Sequence, residues 1–410
     1  MQNRRVVVTG MGSISALGKT VAETWQNVVD CKSGIAPLVS TDMSQIRFKN
    51  GGEVKEYNAQ NYFTEKEIDL IDKFAQFGVI AAKEAVEHAG IEWTEELRDR
   101  TCVIMGTSIG GEGTTEAAFH TLFKEGKNRV NLFTIPRIMP NASASHITMQ
   151  FGITGFAYAI STACASSNHA IGNAYWMIRN GMCDKAITGG SETPISLAFL
   201  KAWEAIRVVA PDTCRPFSKG RQGMTLGEGG AMLVLETLDS ALERNAKIYG
   251  EIIGFGMSSD AGHITKPNQA GPESAMKLAL KDAEIAPDAI DYINAHGTGT
   301  IANDAMEVAA IKAVFNGHSK KLAVSSTKSL HGHVLGGTSA IEAVVTALAL
   351  KNQVYPPTAN FTGQDPECDL DVVPNESRAG NMEYALSNSF AFGGLNAVLA
   401  FKRWNGTNDN

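Results

Sequence analysis

Short runs of consecutive apolar residues recur along the chain, at 5–9, 101–105, 185–188, 231–235, 247–255, 292–295, 322–325 and 397–402. Runs of this length, bounded by glycine and polar residues, predict strands buried on both faces. Between several of them the apolar spacing changes to three and four residues, over 74–90, 168–180, 273–283, 306–315 and 339–350. That spacing predicts helices. Strands that alternate with helices pack as α/β layers, with helices covering the sheets. The pattern restarts near residue 249: the strand at 231–236 closes one half, and 248–259 opens another. The expected organisation is an N-terminal half, 1–248, and a C-terminal half, 249–410. Residue identity by itself shows no repeat between them. Residues 405–410 read as a frayed tail.

Composition narrows the class. A length of 410 residues exceeds one ordinary hydrophobic core. The 40 glycines imply many tight turns and close backbone approaches. A net charge of -7 argues against nucleic acid as the main partner, while leaving room for a local basic patch facing an acidic partner. No stretch of about 18 apolar residues occurs, so no membrane span is expected. The segment MQNRRVVVTGMG is basic and then apolar, but its apolar run stops at Thr9-Gly10, which suits a core strand better than a secretory leader. The six cysteines (Cys31, Cys102, Cys164, Cys183, Cys214 and Cys368) show no CxxC spacing. This points to a reducing, cytoplasmic setting, and away from a disulfide framework or a cysteine zinc site.

Four local patterns carry candidate chemistry. Ser161-Thr162-Ala163-Cys164-Ala165-Ser166-Ser167 follows an extended segment, 156–160, and precedes a small-residue helix. Cys164 would sit near a helix N-terminus, where unpaired N–H groups and the macrodipole favour a thiolate. A buried structural cysteine is the commoner alternative. His296-Gly297-Thr298-Gly299-Thr300 follows the strand near 291–295, placing a histidine where a strand end opens into a crevice. Ser326-Thr327-Lys328-Ser329-Leu330-His331-Gly332-His333 crowds one lysine and two histidines into a loop. No cysteine or dense carboxylate group accompanies the two histidines, so a metal site is not expected there. Asn388-Ser389-Phe390-Ala391-Phe392-Gly393-Gly394 precedes the last strand and suits a loop whose N–H groups face a ligand. Gly10-x-Gly12 also follows a strand, but Ser15 stands where a dinucleotide motif needs its third glycine. A tight strand-to-helix turn is expected there instead.

These patterns, in this order and spacing, resemble the elongating β-ketoacyl-(acyl carrier protein) synthases over nearly the whole chain. The likeness also covers VVVTGMG, the Ile109-Gly110-Gly111 turn, Gly189-Gly190-Ser191-Glu192, Arg215-Pro216-Phe217 and the glycines of 227–230. The resemblance implies the thiolase fold: two similar α/β halves in a five-layered αβαβα arrangement, forming a dimer with itself or with a related ketosynthase-like subunit. It implies Cys164 as acyl-accepting nucleophile, His296 and His333 as paired histidines, Lys328 as a buried lysine and Glu307 as its acidic partner. It implies Phe392 as a gating aromatic whose N–H, with that of Cys164, forms an oxyanion hole. No metal or organic cofactor is implied, since loss of carbon dioxide from a malonyl carrier drives the condensation.

The likeness also marks residues around the substrate. Ile109, Thr134, Trp203, Thr298, Thr300, Ala391 and Gly393 fall at acyl-channel or pocket positions. Lys66, Lys124, Lys127, Arg129 and Arg207 are candidates for contact with an acidic carrier protein. Acidic residues interleave the first of these, at Glu65, Glu67, Asp69 and Asp72. Several residues depart from the family pattern: His331 for Thr, Ala391 for Gly, Leu395 for Thr, and Gly337-Thr338-Ser339 for a small Ala-Ala-Gly run. A positive φ at Ala391 would strain the backbone by about 1 kcal/mol. The departures suggest a specialised acyl chain, in fatty acid, polyene, polyketide or nodulation-type lipid synthesis. Four rivals fit less well. A chain-length-factor subunit generally lacks the cysteine. A thiolase carries a second cysteine in the loop where Gly393-Gly394-Leu395 stands. A Cys-His-Asn priming synthase has Asn at the position of His333. A papain-like hydrolase has a local signature that Cys164 lacks.

Overall fold

The structure, a computed structural model, describes residues 4–406, so most of the expected tail at 405–410 lies outside the described residues. Ten strands build one hydrogen-bonded array. They are β1 (Val6–Ser15), β2 (Thr101–Gly106), β3 (Ala157–Ile160), β4 (Lys185–Glu192), β5 (Gly229–Thr237), β6 (Gly250–Ser259), β7 (Tyr292–Asn294), β8 (Ala323–Ser325), β9 (Tyr384–Ala391) and β10 (Leu395–Lys402). The first five stand in the order β3-β2-β4-β5-β1, and the second five in the order β8-β7-β9-β10-β6. The two orders are the same when each set is counted from its own first strand. Pair directions match too. β2 is parallel to β3 and β4, as β7 is to β8 and β9. The remaining pairs within each set are antiparallel. The sets meet where residues 6–8 of β1 pair with β6.

Seven helices matter to the site: α1 (Lys73–Ala89), α2 (Glu112–Phe119), α3 (Ser166–Arg179), α4 (Leu197–Ile206), α5 (Ala270–Asp282), α6 (Ile301–Phe315) and α7 (Thr338–Asn352). α1 covers β1, β4 and β5 on one outer face. α5 covers β6 and β10 on the other, with α6 packed against it. α3 and α7 lie against each other and touch strands of both sets, so they form the middle layer of an αβαβα stack. Every residue of α7 from Thr338 to Leu350 is buried. The helix is enclosed on all sides, and its polar residues Thr338, Ser339, Glu342 and Thr346 are buried with the apolar ones. Among the described residues no helix is long and apolar enough to cross a membrane.

Two sequence expectations fail locally. Gly10 and Gly12 do not form a turn; β1 runs through both to Ser15. A Cβ on Gly10 would meet Ala85 O at 2.0 Å, and one on Gly12 would meet Ala81 O at 1.9 Å. These glycines let α1 approach the strand. Asn388–Ala391, expected as loop, belong to β9, and only 392–394 turn the chain into β10. Ser387, Asn388 and Ser389 are buried polar residues that hide the strand pattern.

The chemistry-bearing segments all leave the carboxyl ends of strands. Cys164 lies between β3 and α3, and Lys328, His331 and His333 lie between β8 and α7. These connections are equivalent in the two sets. His296 follows β7, Phe390 stands near the end of β9, and Phe392 follows that strand. Open α/β sheets gather ligands at such ends.

Candidate active site

Cys164 is set by a turn held from within. Ser166 Oγ accepts from Thr162 N at 2.9 Å and donates to Ala163 O at 2.7 Å. Ala163 adopts φ 48°, a left-handed conformation that costs a non-glycine residue about 1 kcal/mol. Ser389 Oγ, from β9, donates to Cys164 O at 2.9 Å and ties the turn to the second strand set. The thiol is buried, and burial pushes its pKa up to about 11. Three influences act the other way: the Lys328 charge, the Phe392 N–H and the N–H of Cys164 itself. Two backbone N–H groups, one from each strand set, thus favour the thiolate.

His333 is held in one tautomer. Leu335 N donates to its Nδ1 at 3.1 Å, and the Thr338 hydroxyl lies 2.8 Å from the same atom. A backbone N–H can only donate, so Nδ1 is the acceptor and the neutral ring carries its proton on Nε2. Among the described residues Nε2 finds no protein partner. The His296 ring lies 5.6 Å from the His333 ring, almost perpendicular at 82°. Both histidines are held well below the usual imidazole pKa, first by burial, then by the Lys328 charge. They are neutral donors at physiological pH.

The partner of Lys328 is not the expected one. Lys328 Nζ donates to Glu342 Oε1 at 2.6 Å, and both side chains are 1% exposed. Glu342 comes from α7. Glu307, on α6, instead accepts from His296 N at 2.8 Å, Gly297 N at 2.7 Å and Asn388 Nδ2 at 3.3 Å. It fixes the backbone beneath the histidine. His331 is buried, with Nε2 3.1 Å from Thr327 Oγ1. Burial and Lys328 hold its pKa down to about 3.

Cys164, His296 and His333 line one cavity of about 220 Å³ with Trp203, Thr298, Thr300, Ala391 and Phe392. The Phe392 ring packs 6.0 Å from Trp203 of α4, tilted by 30°. Gly393 donates to Ile264 O at 2.7 Å, which secures the turn. Ala391 is a β9 residue without positive φ, so the expected strain is absent. Gly393, Ile109 and Thr134 do not line this cavity. Ile109 is 40% exposed, and Thr134 Oγ1 bonds Asn131 O at the surface. Lys66, Lys124, Lys127, Arg129 and Arg207 are all exposed. Lys127 pairs with Glu125 at 2.7 Å.

Several residues escaped sequence reasoning. Glu192, at the end of β4, accepts from Thr107, Ser108, Ile109, Gly110 and Gly336 and clamps the loop after β2. The GGSE motif contained it, but nothing in the spacing showed what it holds. Thr338 and Ser339, noted only as departures, fix His333 and cap Asn168 N. His263 and Lys266 line the cavity from a loop with no distinctive pattern.

A buried thiol in one cavity with two neutral histidines, at the junction of two like-ordered strand sets, defines a thiolase-fold condensing site. Two family models match the chain: Beta-ketoacyl synthase, N-terminal domain, over residues 3–241, and Beta-ketoacyl synthase, C-terminal domain, over residues 249–362. The chain belongs to the β-ketoacyl synthase family. It is 44% identical to Nodulation protein E of Rhizobium leguminosarum bv. trifolii, over 98% of this chain and 100% of that protein. It is 42% identical to 3-oxoacyl-[acyl-carrier-protein] synthase 2 of Staphylococcus aureus (strain COL), over 98% and 99% of the two chains. The solved structure of the ishigamide ketosynthase/chain length factor superposes with a TM-score of 0.93 at 34% identity, over 98% of this chain and 100% of that one.

Proposed function

We propose that the protein is a decarboxylating 3-oxoacyl-(acyl carrier protein) synthase that carries its acyl group on Cys164. The observation that carries this reading is the cavity that Cys164 shares with His296, His333 and Phe392, where the N–H groups of Phe392 and Cys164 favour the thiolate. The thiolate attacks an acyl thioester: a C–S bond forms to Cys164, the carrier C–S bond breaks, and the carrier leaves as thiol. The two N–H groups stabilise the tetrahedral oxyanion, and losing one such donor costs about 100–1,000-fold in rate. A malonyl carrier then loses carbon dioxide. His333, with its proton fixed on Nε2, and neutral His296 donate to the enolate oxygen. The carbanion attacks the acyl carbonyl and frees the Cys164 thiol, after uptake of a proton, with release of a 3-oxoacyl carrier.

Trp203, Thr298, Thr300 and Ala391 line the substrate path in this reading, and Phe392 closes it. Exposed Ile109 and half-buried Thr134 join the channel from a face that a second subunit covers. Support for that subunit comes from the free edge strand β3 and from exposed Phe119, Phe123, Leu132 and Ile135. A homologous subunit is the proposed occupant, as in the ketosynthase/chain length factor pair. Exposed Lys66, Lys124, Arg129 and Arg207 contact the acidic carrier. A division of the chain near residue 249 into two thiolase-like halves is supported by their matching strand orders. The sparse cysteines favour a cytoplasmic setting.

The test is incubation with acyl and malonyl carriers, followed by intact mass and carbon dioxide release. Wild type gains the acyl mass on Cys164 and releases one carbon dioxide per condensation. Condensation by Cys164→Ser would overturn the assignment.

A further inference from the structure

Away from the cavity, two lysines share one tyrosine. Lys351 Nζ lies 4.1 Å from the centroid of the Tyr249 ring, and Lys247 Nζ lies 4.9 Å from it. An aromatic face attracts one ammonium by about 0.5–2 kcal/mol. A second ammonium at the same ring adds like-charge repulsion. Among the described residues neither has a carboxylate within 4.0 Å. The ring cannot swing away, because Tyr249 is buried and its N–H donates to Val8 O at 2.8 Å.

Lys351 is the more constrained of the two. It sits half-buried in the last turn of α7, whereas Lys247 is exposed. Burial, and then Lys247, push its pKa down to about 8. An ordinary lysine, near 10.4, holds well under about 1% free amine at neutral pH. A free lysine amine is a nucleophile for carbonyl carbon.

From the Lys247–Tyr249–Lys351 cluster we propose that Lys351 is an acyl-acceptor site, modified on Nζ by small acyl thioesters. The amine lone pair attacks the thioester carbonyl and forms a C–N bond. The C–S bond breaks, and the leaving thiolate takes the amine's proton. The products are an amide on Lys351 and a free thiol. Acylation leaves a single cation over Tyr249 and relieves the repulsion. The inference rests on this cluster alone and does not require Cys164 to function.

The experiment exposes the wild-type protein to acetyl-coenzyme A at about pH 7.5 and maps acetylated peptides over time. Lys351 is expected to react on the order of tenfold faster than exposed Lys66 or Lys124. Lys247→Gln, with the same melting temperature, is expected to slow Lys351 toward that ordinary rate. Equal rates at Lys351 and Lys66 in wild type would overturn the proposal. So would a Lys351 rate unchanged by Lys247→Gln.

Discussion

Lys328 donates to Glu342 across 2.6 Å, within a core where each side chain is 1% exposed. Removing one partner of a buried pair leaves the other charge uncompensated, at a cost of about 3–5 kcal/mol. Glu342→Ala is therefore expected to lose that much stability and the condensing activity with it. Glu307→Ala should act differently: it frees the N–H groups of His296 and Gly297 and leaves the Lys328 pair intact. Urea denaturation of the two variants separates these outcomes. Equal stability of wild type and Glu342→Ala would show that the pair is not held as described.

His331 gives the stability a pH dependence. In the unfolded chain its ring takes a proton near pH 6.5, but in the folded protein it stays neutral down to about pH 3. The unfolded state binds the extra proton across that window. This contribution is complete above pH 6.5 and is lost as pH falls, by roughly 1 kcal/mol per pH unit. His331→Thr should flatten the stability profile between about pH 6 and pH 4 by that slope. Unfolding midpoints measured across the window provide the check, and parallel profiles for the two proteins would refute it.

Ala391 lies in β9 opposite Leu395, with no backbone strain to relieve. Ala391→Gly is expected to lose about 0.5–1 kcal/mol, the usual penalty for glycine within a strand. A gain in melting temperature would contradict the observed conformation.

Trp203 supports the ring of Phe392, whose N–H favours the Cys164 thiolate. An aromatic pair of this kind contributes about 0.5–1.5 kcal/mol beyond its buried area. Trp203→Ala should slow acylation of Cys164 by about tenfold, matching roughly 1.4 kcal/mol in the barrier. Trp203→Phe should keep most of the rate. Single-turnover acylation followed by intact mass gives both numbers.

Most of the layered fold was legible because strands buried on both faces leave continuous apolar runs. β9 was lost because Ser387, Asn388 and Ser389 are polar yet buried, the Asn388 amide bonding Glu307 and the Ser389 hydroxyl bonding Cys164 O. The Gly10–Gly12 pair was read as a turn because a glycine that admits a neighbouring helix looks the same as one that bends the chain. Cys164, His296, Lys328 and His333 were legible from short motifs at strand ends, and the structure brings them together. Glu342 was not. It lies fourteen residues beyond Lys328 on a helix buried all round, where no periodicity distinguishes it. Glu307 was the closer reading by motif, but its carboxylate is taken up by two backbone N–H groups.

The sequence by itself determined which reactive groups the chain carries and that each stands where a strand gives way to a loop. Those are properties of residues close together in the chain. The tertiary structure decided which carboxylate neutralises Lys328, which nitrogen of His333 holds the proton, and that Phe392 shares a cavity with Cys164. Each depends on groups brought within a few ångströms from different elements and shielded from water. Only there do single hydrogen bonds and charges become strong enough to set a protonation state.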